Sequence, residues 1–194
     1  MNRTSQTRNA WRMFLVLVFG AAAIAALILS LVFGSAQTTL AQIWHTLWSP
    51  TLSDTNSLVI WNIRFPRNIV AALVGSNLAV AGAILQAVMK NPLADPQIVG
   101  VSSGAGLAGV IVLILFPYLE YAVPFIAFIG ALTAAILVYA LAWKQGIRPS
   151  RIILSGVAVA AFLGSMISAL LVFYGDRVQG ALLWMVGGLA ARSW

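Results

Sequence analysis

A chain of 194 residues that is 61% hydrophobic and 8% charged cannot fold as a water-soluble globule, because soluble domains carry about a quarter charged residues to hold their surface in water. The absence of cysteine excludes disulfides and thiolate chemistry, and the single histidine, His45, leaves no cluster for a metal site. The net charge of +7 rests on basic residues scattered at the ends of apolar runs, not on a stripe interleaved with aromatics, so it points to membrane topology and away from nucleic acid.

From the amino terminus, Arg3, Arg8 and Arg12 precede an apolar run over Met13–Phe33. That run is too long for the core of a signal peptide, so it reads as a retained first span. The polar segment 34–67 follows, with tryptophans at 44, 48 and 61. Tryptophan settles at the headgroup level, which predicts an external segment with a short interfacial helix. Stretches of the length that crosses a hydrocarbon core of roughly 30 Å then recur over 69–89, 98–116, 122–143 and 152–173. Pro66 suits the first turn of the second span, where its missing N–H costs nothing. An outer turn at Gly175-Asp176-Arg177 leads into a last apolar segment, Val178–Trp194. The expected fold is all-α, a polytopic helical membrane protein with five spans in one transmembrane domain over 1–194. An odd count ending on an unfinished apolar segment is expected of part of a larger protein.

Orientation follows from the basic residues. With the amino terminus inside, Arg3, Arg8, Arg12, Lys90, Lys144, Arg148 and Arg151 face the cytoplasm and Arg64, Arg67 and Arg177 face out. Cytoplasmic loops carry the excess of lysine and arginine, so this orientation is the expected one.

The spans are uncharged: no Asp, Glu, Lys, Arg or His falls within them. Ion-coupled carriers usually keep ionisable groups at membrane depth. The chain also lacks the G-x-x-x-x-G-K-[ST] loop that cradles nucleotide phosphates, so energy from ATP would come through another subunit. Small residues recur every fourth position at Gly75, Ala79, Ala83 and Ala87, and again at Gly156, Ala160, Gly164 and Ser168. Such ladders let backbones approach closely in lipid; lining a pathway is the sharper alternative. Asn77 and Gln86 are nine residues apart, on opposite faces of a helix that turns about 100° per residue, and each reads first as an interhelical hydrogen bond. Ser155, Ser165 and Ser168 can close carbonyls of their own helix. Asp54, Asp95, Glu120 and Asp176 are isolated along the chain, which leaves no paired acids for catalysis and no expectation of an enzyme or a cofactor. Asp95, between two prolines of the loop Asn91-Pro92-Leu93-Ala94-Asp95-Pro96, suits a turn whose backbone N–H it accepts. Arg64 and Arg67, three apart at a helix entrance, share a face. They suit either lipid headgroups or the carboxylates of an external partner, which arginine grips with fork geometry.

Several of these pieces occur together. Arg64-Phe65-Pro66-Arg67, the run Leu73–Gln86, the loop Asn91–Pro96, Gly100 with Val101-Ser102-Ser103-Gly104-Ala105, Leu154–Ala158, and Trp184–Leu189 with Ser193-Trp194 resemble the FecCD-type permease subunits of bacterial ABC importers for iron–siderophores, haem and vitamin B12. The resemblance implies a ten-span permease in the bacterial inner membrane, paired with a second copy or a homologous permease. It also implies cytoplasmic ATPase subunits, an external substrate-binding protein and a metal-chelate substrate, an iron–siderophore first, with haem or cobalamin as alternatives. It gives Arg64 and Arg67 to glutamates of the binding protein and the Asn91, Pro92, Asp95, Pro96 loop to the cytoplasmic side. It places Ser155, Gly156, Gly164, Ser165 and Ser168 along the translocation pathway. The family's second half, with the segments that grip the ATPase, does not occur in these residues. The competing readings are a carrier or channel working without ATP and a truncated remnant that transports nothing.

Overall fold

The computed structural model describes residues 3–34, 38–48, 54–143, 146 and 148–189, and every regular element among them is helical. Lys144, counted above among the inward cations, and the stretch 190–194 that closes the resemblance lie outside these residues. Among the described residues, four helical runs are long and apolar enough to cross a membrane: Arg8–Val32, Thr55–Met89, Pro117–Ala142 and Pro149–Phe173. The third expected span is shorter. Its helix covers only Val101–Leu115, which at 1.5 Å per residue reaches roughly 22 Å, less than the ~30 Å of hydrocarbon. The described residues fall into two compact units, one reaching Gly75 and the other covering Ser76–Gly188.

The first unit contains α1 (Arg3–Val32), α2 (Leu40–Trp48), α3 (Thr55–Val59) and the start of α4 (Phe65–Met89). Along α1 the large apolar side chains, Phe14, Leu17, Phe19 and Ile24 among them, stand exposed, as a helix facing hydrocarbon requires. The short helix α2 has two distinct faces. Ile43 and Thr46 are buried, with Thr46 Oγ1 3.2 Å from Ser57 Oγ. Leu40, Trp44 and Trp48, four apart, form an exposed stripe in which the two indoles stack at 5.4 Å.

The helix that carries Arg64 begins further upstream than the expected span. Thr55 to Met89 is helical throughout, through a π turn over Ile60–Arg64 in which the Phe65 N–H reaches back to the Ile60 carbonyl. Pro66 explains the wide turn. A proline inside a helix removes one N–H and drives its ring against the carbonyl four residues back, here that of Asn62. A π turn spreads the backbone where that clash would fall. Pro66 is therefore an interior residue of a long helix, not its first turn.

In the second unit α5 (Val101–Leu115) is the centre, flanked by α6 (Val123–Ala142), α7 (Pro149–Phe173) and α8 (Val178–Val186). Leu107, Val110 and Ile114 of α5, Ile167 of α7 and Ala181 of α8 form the buried core. Two contacts set the helix spacing. A Cβ on Gly104 would lie 2.4 Å from the Gly130 carbonyl oxygen, and a Cβ on Gly130 would lie 2.5 Å from the Gly104 carbonyl oxygen. The backbones of α5 and α6 touch there, antiparallel, with Ala108 and Ala134 completing the contact. At that range Cα–H···O contacts add to van der Waals packing.

At Gly75, the one glycine of the ladder foreseen in α4, a Cβ would meet nothing within 4 Å. The α7 ladder is used only at its start, where Gly156 and Ala160 receive Gly100. Gly100 has φ +78°, in the left-handed region, and a Cβ there would be 2.9 Å from the Gly156 carbonyl oxygen. Gly100→Ala is expected to lower stability by at least the ~1–2 kcal/mol that a side chain pays in that conformation. A thermal melt in detergent, with Gly146→Ala as a reference at a second positive-φ glycine with open space around it, measures the added steric share.

Candidate functional site

Arg64, the first of the arginines expected outside, is fixed by the end of α1. Arg64 is 7% exposed. Its Nη1 lies 2.6 Å from the Leu31 carbonyl oxygen, 3.2 Å from that of Val32 and 2.8 Å from Thr38 Oγ1. Thr38, also buried, donates in turn to the same carbonyls. The last carbonyls of a helix lack intrahelical donors and carry its partial negative charge, so a guanidinium meets both needs at once. Gly34 makes room, since a Cβ there would be 2.6 Å from Arg64 Nη2. One turn on, Asn68 Nδ2 donates to the Leu27 carbonyl at 3.0 Å while Asn68 Oδ1 accepts from Ser30 Oγ. Arg64 and Asn68 are an i,i+4 pair that together hold the final turns of α1. Arg67 is half-buried.

Arg177, the third arginine expected outside, has a similar partner. Its Nη1 is 3.3 Å from the Ile114 carbonyl at the end of α5. Arg64 and Arg177 thus each serve a helix carboxyl terminus.

The loop Asn91–Pro96 is built from its own side chains. Lys90, with φ 49°, ends α4 in a Schellman arrangement: its N–H reaches the Ala87 carbonyl and the Asn91 N–H that of Gln86, satisfying carbonyls at the helix end. Asn91 Oδ1 accepts from the Leu93 N–H at 2.9 Å, and Asp95 Oδ1 accepts from the Gln97 N–H at 2.7 Å. Pro92 is the central residue of the first turn, and Asp95 caps the short 3-10 turn Pro96–Val99 with Pro96 in its first position. Leu93 remains 82% exposed at the tip.

On α7 the five residues expected along a pathway divide between two sides. Gly156 is buried in the contact with Gly100, and Ser155 is half-buried. Ser165 and Ser168 are exposed, on the side turned away from the buried Val159 and Ile167, and Gly164 at its edge is half-buried. Ser165 donates to the Phe162 carbonyl at 2.7 Å and Ser168 to that of Gly164 at 3.1 Å. That face is smooth, uncharged and has its hydroxyl hydrogens already engaged. A cavity of about 430 Å³ opens elsewhere in the unit, lined by Ser102, Ser103, Gly106, Ile167, Trp184 and Met185. Trp184 gets there by fitting a notch in α5, for a Cβ on Gly109 would lie 2.4 Å from its Cη2. The described residues hold no cluster of three or more His, Cys, Asp or Glu able to bind a metal ion.

Spacing foresaw the local turn at Asp95, but not the parts played by Asn68, Thr38, Gly109 or Trp184. Asn68 did leave a signal, four residues after Arg64 on the same face. Thr38 left none, because its role depends on where α1 ends.

The profile of the FecCD transport family matches residues 22–194. An achromobactin transport system permease protein of Dickeya dadantii is 37% identical over 197 residues, covering 100% of this chain and 54% of its own. An iron(III)-citrate import system permease protein of Bacillus subtilis is 42% identical over 144 residues, covering 74% and 43%. A cobalamin import system permease protein of Halobacterium salinarum is 43% identical over 142 residues, covering 73% and 38%. The chain spans about half the length of the curated relatives it matches. Among solved structures, an inward-facing conformation of a putative metal-chelate type ABC transporter superposes with a TM-score of 0.76 at 23% identity, covering 93% of this chain and 55% of that one, which establishes a shared fold. Because the family match takes in far more than half of the residues, and these fold into the helices of such a transporter, the chain belongs to the FecCD transport family.

Proposed function

We propose that these residues form the amino-terminal part of the membrane permease of an ATP-driven importer, carrying a metal chelate that an external binding protein delivers. Family membership over residues 22–194 carries the reading, and relatives named for iron(III) citrate, achromobactin and cobalamin support a metal chelate as the substrate class. The uncharged face of α7 at Gly164, Ser165 and Ser168 suits a bulky complex that must slide past without binding tightly. The absence of ionisable groups from the expected spans leaves no obvious ion coupling, so cytoplasmic ATPase subunits and a second permease copy or homologue complete the machine. The amino terminus is cytoplasmic on this reading, and carboxylates of the binding protein meet the region of Arg64 and Arg67.

Two measurements test it. In cells expressing the complete system, uptake of a radiolabelled iron(III) chelate should require the ATPase partner; uptake that persists without it would favour the carrier or channel reading. In reconstituted complexes, replacing both Arg64 and Arg67 by glutamate should reduce stimulation of ATPase by the binding protein at least tenfold. Stimulation equal to the parent's would remove the docking role.

A further inference from the structure

The outward side of α6 is built for neither water nor a second helix. We infer that it is a lipid-facing wall, and that aromatic rings at its two ends place the bilayer along it: Tyr118 and Tyr121 at one headgroup level, Tyr139 and Trp143 at the other.

Helical spacing divides the two sides. Ala127, Ala134 and Val138 are buried, and Gly130 meets the backbone of α5, so the inner side consists mostly of small residues that let a neighbouring helix come close. Phe125, Phe128, Leu132, Ile136, Tyr139 and Trp143 recur every three or four residues on the opposite side, and each is half or more exposed. A helix that is apolar on every side belongs in a core or in a membrane. Sizes decide what lies against the outer side. A second copy of the chain would dock on small residues or polar pairs, and this stripe has large side chains instead. Thr133, the one hydroxyl-bearing aliphatic residue of α6, donates to the Ile129 carbonyl of its own helix at 2.8 Å. It therefore presents no unsatisfied donor to hydrocarbon.

The ends of the stripe complement a bilayer in length, ring chemistry and charge. Val123–Ala142 has 20 residues, which at 1.5 Å each rise roughly 30 Å, the thickness of a hydrocarbon core. Tyr118 and Tyr121 stand exposed in the 3-10 turn Pro117–Ala122 that leads into α6. At the far end the rings of Tyr139 and Trp143 lie 5.5 Å apart. Both residue types join an apolar ring to a hydrogen-bonding tip, the chemistry of the membrane interface. Glu120 precedes the first belt and Lys144 follows the second in sequence, with no Asp, Glu, Lys, Arg or His between them.

Spin labels on single cysteines test the wall in the complete permease, reconstituted with its partners in phosphatidylcholine vesicles; residues 1–194 bring no cysteine of their own. A label at Leu132, midway between Tyr121 and Trp143, should collide often with oxygen and rarely with a nickel chelate confined to water. The oxygen-to-nickel collision ratio should peak there, and it should fall at least fivefold at labels replacing Tyr121 and Trp143. Labels at Phe128 and Ile136 should give ratios within twofold of each other. Few collisions with both reagents at Leu132 and Ile136 would mean that a second copy or the rest of the permease covers the stripe, and would overturn the wall. Frequent nickel collisions there would mean water, and overturn it too. A peak displaced by a helical turn or more keeps lipid against the face but overturns the placement by the rings. Should Leu132→Cys fail to assemble, Ile129→Cys on the same side decides by the same criteria. None of these readouts depends on cargo or ATPase, so this inference and the proposed function fail separately.

Discussion

Gly104→Val is expected to be the most damaging single change in the α5 bundle. The nearest atom to a new Cβ is the Gly130 carbonyl oxygen at 2.4 Å, a backbone atom that cannot rotate away, with the Ala134 Cβ at 2.5 Å behind it. The helices must separate, and separation undoes the adjoining contacts of Ala108 and Ala134. Overpacking of a filled interior costs typically ~1–3 kcal/mol, and a rigid backbone partner places this site at the upper end. Against a folding free energy on the order of 5–15 kcal/mol, that should lower the detergent melting midpoint sharply and reduce accumulation in membranes. Gly130→Val should act alike, because the contact is reciprocal. Ala134→Gly should not rescue Gly104→Val, since it removes a methyl and leaves the carbonyl in place. Rescue by Ala134→Gly would show that side chains, not backbones, set the distance.

Gly109→Val is the second. Its Cβ would fall 2.4 Å from Trp184 Cη2 and 2.8 Å from Cζ3, so the indole must leave its notch. The partner here is a side chain, and that changes the prognosis. The variant should be destabilised by roughly 2 kcal/mol, within the range for inserted bulk, and Trp184→Leu should recover much of the loss because it vacates the same space. A double-mutant cycle read by thermal denaturation should give a favourable coupling of at least ~1 kcal/mol, as residues in direct contact do. Additive effects would mean that Trp184 does not occupy the notch. The same displacement would push the indole toward the cavity bounded by Ser102, Ser103 and Met185, so the fluorescence of Trp184 should shift as well, measured with the other tryptophans replaced where they tolerate it.

These sites show where sequence reasoning succeeds and where it stops. The loop at Asn91–Gly100 was legible because its chemistry is local: Asn91 and Asp95 each bond an N–H two residues on, and such turns follow from residue type and spacing. Small-residue ladders were legible as a class but not as an address. The stretches in α4 and α7 were more conspicuous than Gly104 with Ala108 or Gly130 with Ala134, yet the reciprocal backbone contact fell on the latter, and of the α7 ladder only its start, at Gly156 and Ala160, receives another backbone among the described residues. A ladder says that a helix can be approached closely; the partner's own small residues and tilt decide whether it is. Pro66 was read as a helix start because proline fits there, and the π turn that lets a helix continue through it needed the surrounding structure to pay for it.

Composition, the lengths of the apolar runs and the uncharged spans by themselves determined that this is an all-α membrane protein, because lipid admits a single helical solution to backbone hydrogen bonding once no closed barrel is in prospect. The order of its local motifs determined the family it resembles. Tertiary structure alone decided that Arg64 faces the end of α1 and that Arg177 meets the end of α5. The reason is physical: helical periodicity fixes the face from which a side chain leaves its own helix, while its partner, 33 residues away for Leu31 and 63 for Ile114, is fixed only when packing brings a second helix's unsatisfied carbonyls within reach.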